Sequence, residues 1–358
     1  MDIPAPAPDL ASLPAASRRW PSRLPRVLLA VIPLLVLAVT PRPTGSAETL
    51  ARERGLTIPR ADAPSAVPSA APRVWRVEST ENIEVYSNGL RVDRTFLVNN
   101  RPRAEFPVFP LTGGPTPVTT RSTPVGIVYH TSESLLAPFD EQDNRRLRQL
   151  GRNLLEVVRD ERAYHYVIDR FGRVFAVVAD TDAANHAGHS VWADADGVYV
   201  NLNDSFLAIS FEGQTGAPDE ITPAQIASAK VLTEMLRSRY SIPADNCVTH
   251  AQVSVNPSNM RIGDHTDWGD RFPFAAVGLP DNYAMPLASI YVFGFDYDTP
   301  FLERTNGWKG LYAAVDQVER QAALQHLSVP RFRAMLRHRY KEIAAEIKEE
   351  QETEGETP

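Results

Sequence analysis

The chain reads as an α/β protein, a central mixed β-sheet flanked by helices, with an N-terminal β extension and C-terminal helices. Three observations predict this. Short apolar runs of strand length recur at 126–130, 164–169, 174–179, 207–212 and 248–250. Two long segments with apolar residues at helical spacing are interleaved with them. A hairpin signal precedes the set and two more helical patterns follow it. Strands and helices mixed in this way pack as a sheet with helices on its faces.

Taken in order, residues 73–110 alternate in the strand manner. Ile83 and Val85, then Leu90 and Val92, flank Asn88-Gly89, a two-residue turn that favours a hairpin. Gly126–His130 is the first strand of the main domain. Glu141–Asp160 follows as a helix with Leu147, Leu150, Leu154 and Val157 on one face. Tyr164–Asp169 and Val174–Ala179 are strands joined at Phe171-Gly172. Leu207–Glu212 is a further strand. Thr222-Pro223 starts the next helix, with proline where its missing N–H costs nothing. Ile226, Ala229, Leu232, Leu236 and Tyr240 form its buried face. Val248–His250 returns as a strand. After an aromatic stretch at 291–295, Leu311, Val315, Val318 and Ala322 mark one helix. Phe332, Leu336, Tyr340, Ile343 and Ile347 mark another, with Pro330 between them. The acidic residues from Glu346 to Pro358 read as disordered.

These elements divide the 358 residues into 1–47, a signal peptide or N-terminal anchor; 48–72, a Pro/Ala-rich linker; 73–123, a small β-rich extension; 124–283, the main domain; and 284–358, a helical extension with an acidic tail. Arg18, Arg19, Arg23 and Arg26 precede an apolar run of 13 residues, Val27 to Val39. That run is short for a membrane span and right for a signal peptide. Gly45-Ser46-Ala47 offers small residues for cleavage. The expectation is export to a periplasmic or extracellular location, with membrane attachment through 27–39 if the segment stays uncleaved. A net charge of -7 argues against nucleic acid as a partner. Cys247 is the only cysteine, so no intramolecular disulfide forms; it reads as a small buried hydrophobe.

Chemistry enters with a scattered triplet: His130, His250 and Asp267. Two imidazoles and a carboxylate suit a catalytic zinc that keeps a fourth position for water. Both histidines close apolar runs, at strand ends where a rigid scaffold can hold a ligand. Spacing alone leaves packed or surface histidines as a full alternative, because the chain has eight of them.

Four further stretches strengthen the metal reading. Gly126-Ile127-Val128-Tyr129-His130-Thr131, the run from Ala163 to Gly172, Asn185-His186-Ala187-Gly188, and Ala208-Ile209-Ser210-Phe211-Glu212-Gly213 together resemble, in order, the zinc-dependent N-acetylmuramoyl-L-alanine amidases of the type-2 family. These share a fold with peptidoglycan recognition proteins. The resemblance covers about residues 124–274 and implies a hydrolase that cuts between N-acetylmuramic acid and L-alanine. By position it implies His130, His250 and Asp267 as zinc ligands and Tyr164 as a catalytic tyrosine. Thr266-Asp267-Trp268-Gly269 is similar to the family's Thr-Asp-Pro-Gly, which favours Asp267 over Asp264. His265 stands where relatives carry lysine or threonine and could stabilise an oxyanion or protonate the leaving nitrogen.

Two departures stand out. The base of cytoplasmic and outer-membrane relatives aligns with Ser210, as in the recognition-protein branch. Glu212, two residues on, is a candidate proton carrier or else a structural carboxylate. The interval from His250 to Asp267 is long, so the segment around 256–261 must loop out and return. His186 reads as substrate-facing or ring-orienting, and Ser210 as lining the groove. The implied partners are peptidoglycan or muropeptides, and the expected state of the protein is a monomer. The alternatives are a non-catalytic recognition domain, which often lacks the third ligand, and an amidase of shifted substrate.

Overall fold

A computed structural model describes residues 72–216 and 221–355. The expected signal peptide, anchor and most of the linker lie outside these residues. Among the described residues no helix is long and apolar enough to cross a membrane.

The predicted hairpin is present. Strands β1 (Arg76–Ser79), β2 (Ile83–Tyr86) and β3 (Arg91–Asp93) form an antiparallel set, turned at Asn88-Gly89 with Gly89 at φ 85°. A smaller antiparallel pair follows, β4 (Phe106–Val108) with β5 (Thr119–Arg121). The next elements are β6 (Gly126–Thr131), α1 (Asn144–Glu161), β7 (Tyr166–Ile168), β8 (Val174–Ala176), β9 (Val191–Ala193), β10 (Val198–Val200) and β11 (Phe206–Phe211). After them come α2 (Pro223–Tyr240), β12 (Cys247–Thr249), the single-turn α3 (His250–Val253), β13 (Val255–Asn256) and β14 (Arg261–Ile262).

The central sheet has eight strands in the order β1-β2-β3-β8-β7-β11-β6-β12. It is mixed: β6 pairs in parallel with both β11 and β12, whereas β7 and β8 are antiparallel. The N-terminal strands extend this same sheet, because β3 pairs in parallel with β8 through Val92 and Val174. Each of β6, β7, β11 and β12 is buried along its whole length. Such strands read as continuous apolar runs rather than alternating ones. One face is covered by α1, whose Leu154, Leu155 and Val158 meet Val167, Phe175 and Val177. On the larger core, Leu232, Met235 and Leu236 of α2 cluster with Ile127, Tyr129, Ile209 and Phe211.

Two sequence expectations need correction. Val157 is exposed, not core, and the buried stripe of α1 runs instead through Leu147, Gly151, Leu154, Leu155 and Val158. The acidic end is not disordered through 346–355: the final helix runs from Val329 to Gly355. Its Glu- and Lys-rich composition is compatible with a helix because both residues are good helix formers.

Beyond the main domain the chain forms α4 (Phe274–Val277), α5 (Ala288–Tyr291), α6 (Thr299–Arg304), α7 (Lys309–Leu324) and α8 (Val329–Gly355). Leu311, Val318, Phe332, Tyr340 and Ile343 from α7 and α8 belong to the same core cluster as the central sheet.

Candidate metal centre

The parallel strands end together, and the crevice beyond their carboxyl ends is where open sheets of this kind place ligands. His130 is the fifth residue of β6 and lies level with Ser210 of β11. His250 begins α3 directly after β12. A reciprocal capping box fixes that start: Thr249 and Gln252 each satisfy the other's backbone N–H. Gln252 also donates to the Asn282 carbonyl, and Asn282 donates to the Cys247 carbonyl, so the strand-to-helix turn is braced from behind.

Asp267 arrives from a different direction. The long interval from His250 contains a β-hairpin, β13 with β14, paired through Val255–Ile262 and Asn256–Arg261. The chain loops out and returns as its length required. The main chain at Asp267 is fastened by the Ala251 N–H, which donates to its carbonyl at 3.2 Å. Trp268 follows at φ 58°. Proline, held near φ −65°, could not occupy this position, so the substitution relative to the Thr-Asp-Pro-Gly pattern goes with a differently shaped turn.

These elements bring His130, His250 and Asp267 together. All three are buried, and their ligand atoms lie within 4.8 Å of one another. Asp267 Oδ2 is 3.4 Å from His130 Nδ1 and Oδ1 is 2.9 Å from His250 Nδ1. A tetrahedral ion with bonds of about 2.0–2.1 Å spaces its ligand atoms about 3.3 Å apart, so the donor set fits a divalent metal. Asp264, the rival carboxylate, is exposed and accepts instead from Asn256 Nδ2 at 2.9 Å.

The electrostatics agree with ligand chemistry. Burial works to raise the Asp267 carboxyl, but the imidazoles of His250 and His130 outweigh it and hold the group well below the usual carboxylate range. Burial, then the neighbouring His250 ring, lowers His130 to about 4. A neutral imidazole has a lone pair to offer a metal.

A second layer surrounds the triplet. His130 Nε2 lies 3.2 Å from His186 Nδ1. His186 is itself fixed by Asn203, whose Oδ1 accepts from the backbone N–H groups of His186 and Ala187. Burial and the adjacent rings push His186 well below the ordinary histidine range. The Tyr164 ring sits 5.1 Å from that of His130. Burial, aided by the Asp267 charge, pushes its phenol up to about 12. His265 is exposed and stacks on His250 with ring centroids 4.6 Å apart. Buried His250 Nε2 and His186 Nε2 have no hydrogen-bond partner among the described residues.

Glu212 is placed differently. Its carboxylate accepts from the Arg170 N–H at 3.0 Å and stands over Gly151 of α1, where an added Cβ would meet Oε2 at 3.3 Å. Burial raises its pKa. Its residue contributes to a cavity of about 430 Å³ beside the centre, which Thr131, Thr266 and Trp268 also line.

Sequence reasoning overlooked two supports. His165 accepts from the Ala208 N–H of β11 at 3.0 Å through Nδ1. Arg103, from the N-terminal extension, donates to the carbonyls of Asp180, Asp182 and Asp204 and lies 3.0 Å from His165 Nε2. The pairing of a lone arginine with a loop about 80 residues away leaves no local signal; only a histidine inside an otherwise apolar strand hinted at it.

Comparison with known proteins gives a match to a family model. Residues 120–270 fit the model described as N-acetylmuramoyl-L-alanine amidase. Comparison with curated proteins gives no match. Among solved structures, the chain is similar to the N-acetylmuramyl-L-alanine amidase AmiD from E. coli at 20% identity, covering 66% of this chain and 92% of that one with a TM-score of 0.36. AmpDh3 from Pseudomonas aeruginosa shows 21% identity over 57% of this chain and 75% of that one, TM-score 0.36. Drosophila peptidoglycan recognition protein SD shows 18% identity over 43% and 79%, TM-score 0.27. Over residues 120–270 the chain is thus similar to the N-acetylmuramoyl-L-alanine amidase family whose model it fits.

Proposed function

We propose that the protein is an exported zinc amidase that hydrolyses the bond between N-acetylmuramic acid and L-alanine in peptidoglycan. The observation that carries this reading is the buried convergence of His130, His250 and Asp267. A binding-only domain of the superfamily has no need of the third ligand.

His130, His250 and Asp267 would hold the zinc, which would supply a bound water of lowered pKa and polarise the scissile carbonyl. The rest of the work falls to the protein. With the His130 Nδ1 lone pair directed at the ion, Nε2 carries the proton and donates to His186 Nδ1. Such an outer partner fixes the tautomer and orientation of a ligand ring. His186 is therefore a positioning residue for His130. The Tyr164 phenol, held protonated at neutral pH, is a hydrogen-bond donor for the charge that develops on the carbonyl oxygen. His265, exposed and stacked on His250, can deliver a proton to the departing nitrogen. Ser210, level with His130 on β11, offers a polar contact to the substrate. Glu212 braces the Arg170 turn and is a structural carboxylate rather than a proton carrier.

Digestion of purified sacculi tests the reading. Release of peptides with a free N-terminal L-alanine is expected. Intact sacculi that still bind the protein would mean a recognition domain, and cleavage of other N-acyl amides alone would mean a shifted substrate.

A further inference from the structure

A second groove lies beside the middle of the sheet, where α1 faces β3 and β8. Across β8-β7-β11-β6 it stands three strand spacings from the His130 strand, about 14 Å. Its volume is about 450 Å³, within the range of small-ligand pockets. The floor is apolar: Phe96 meets Phe175 edge-on at 6.0 Å, with Leu155 of α1 beside them. The wall is cationic. Arg145, Arg148 and Arg152 occur at i, i+3 and i+7 of α1 and so share one face.

These charges are largely uncompensated. Arg152 pairs with Glu156 at 3.1 Å. Arg173, across the groove, is held by Asp169 and lies over the Phe175 ring. Asp93, the one carboxylate in the lining, is occupied by the N–H and hydroxyl of Thr95. Arg145 and Arg148 have no hydrogen-bond or ion-pair partner among the described residues. Like charges three and four residues apart cost a helix stability; the nearest acidic residues, Asp140, Glu141 and Asp143, precede α1. A chain of net charge -7 thus places two guanidinium groups with no partner among the described residues beside an aromatic floor.

We propose that this groove binds a phosphorylated saccharide. Guanidinium forks match phosphate oxygens two at a time. The Phe96 ring, half-buried in the floor, offers an apolar surface to the face of a sugar ring. The assignment does not depend on cleavage at the metal centre. If both readings hold, the groove gives the enzyme a second hold on a phosphate-decorated wall glycan, raising the effective concentration at the centre.

Calorimetric titration of the full chain with glucose 6-phosphate, glucose, inorganic phosphate and galacturonate tests it. Glucose 6-phosphate is expected to saturate one site and to bind more tightly than the other three. The R145A/R148A double variant should weaken it about tenfold or more. F96A should weaken the sugar phosphate but not inorganic phosphate, and H130A should change neither. The proposal is overturned if glucose 6-phosphate shows no saturation, or if R145A/R148A binds it unchanged. It is also overturned if inorganic phosphate binds as tightly, which marks an unspecific anion patch, or if galacturonate does, which marks a carboxylate site. Sacculus digestion is read separately, so loss of this site and loss of the amidase reading are distinguishable.

Discussion

At the scale of single residues, the proposed function assigns the centre ligands, a ring orienter and a donor, and each role has its own signature. Tyr164→Phe removes the phenolic donor while leaving the ring against His130. Turnover should fall about 10²–10³-fold, with zinc affinity unchanged, as for loss of one oxyanion donor. Unaltered turnover would remove Tyr164 from the chemistry. Glu212→Gln keeps an acceptor for the Arg170 N–H. It should retain turnover within a few-fold, whereas a loss of several hundred-fold would restore Glu212 as a proton carrier. The convergence of His130 and His250 was legible because each closes a short apolar run, whereas Asp267, on a loop, was singled out only by the pattern Thr266-Asp267-Trp268-Gly269. The Trp268 turn was not legible, since its φ of 58° depends on packing against Phe211 and Phe272. Nor was the support from Arg103, which reaches the site only through tertiary contact.

At the scale of elements, β6, β7 and β11 are held in register by buried polar groups as well as by apolar packing. Burial, then the Arg103 cation, lowers His165 to about 3 from an ordinary 6.5. The sign of its effect on stability follows. Above pH 6.5 the ring is neutral in both the folded and unfolded chain, and its contribution is complete. Below that, the unfolded chain takes up a proton that the fold refuses, so stability is lost as pH falls from 6.5 toward 3. The slope reaches about 1.4 kcal/mol per pH unit for each such group. Urea unfolding of the metal-free protein should therefore weaken on acidification, and His165→Asn should flatten the dependence. An unchanged slope in that variant would contradict the assignment. The strands themselves were readable as uninterrupted apolar runs. Their neighbours in the sheet were not: the parallel pairing of β3 with β8 joins segments about 80 residues apart, and no local pattern encodes it.

At the scale of the whole molecule, the C-terminal helices are part of the core that supports the sheet. Tyr340 of α8 stands edge-on to Phe293 and Phe295, with ring centroids 5.3 and 4.8 Å away. Arg339 donates to the carbonyls of Pro110 and Leu111, tying the last helix to the N-terminal extension. Tyr340→Ala should cost about 3 kcal/mol in urea unfolding by opening a buried cavity. A change near zero would mean that α8 does not dock. The heptad-like spacing of its apolar residues announced the helix, but acidic composition hid how far it continues. All of this framework converges on one place, where β6, α3 and the hairpin-bearing return bring His130, His250 and Asp267 together. The most direct test is the zinc content and zinc affinity of the purified protein alongside His130→Ala, Asp267→Ala and Asp264→Ala. The account predicts stoichiometric zinc in the unsubstituted protein and in Asp264→Ala, and its loss in the other two. Zinc retained without His130 and Asp267, or no zinc bound by the intact triplet, would contradict it.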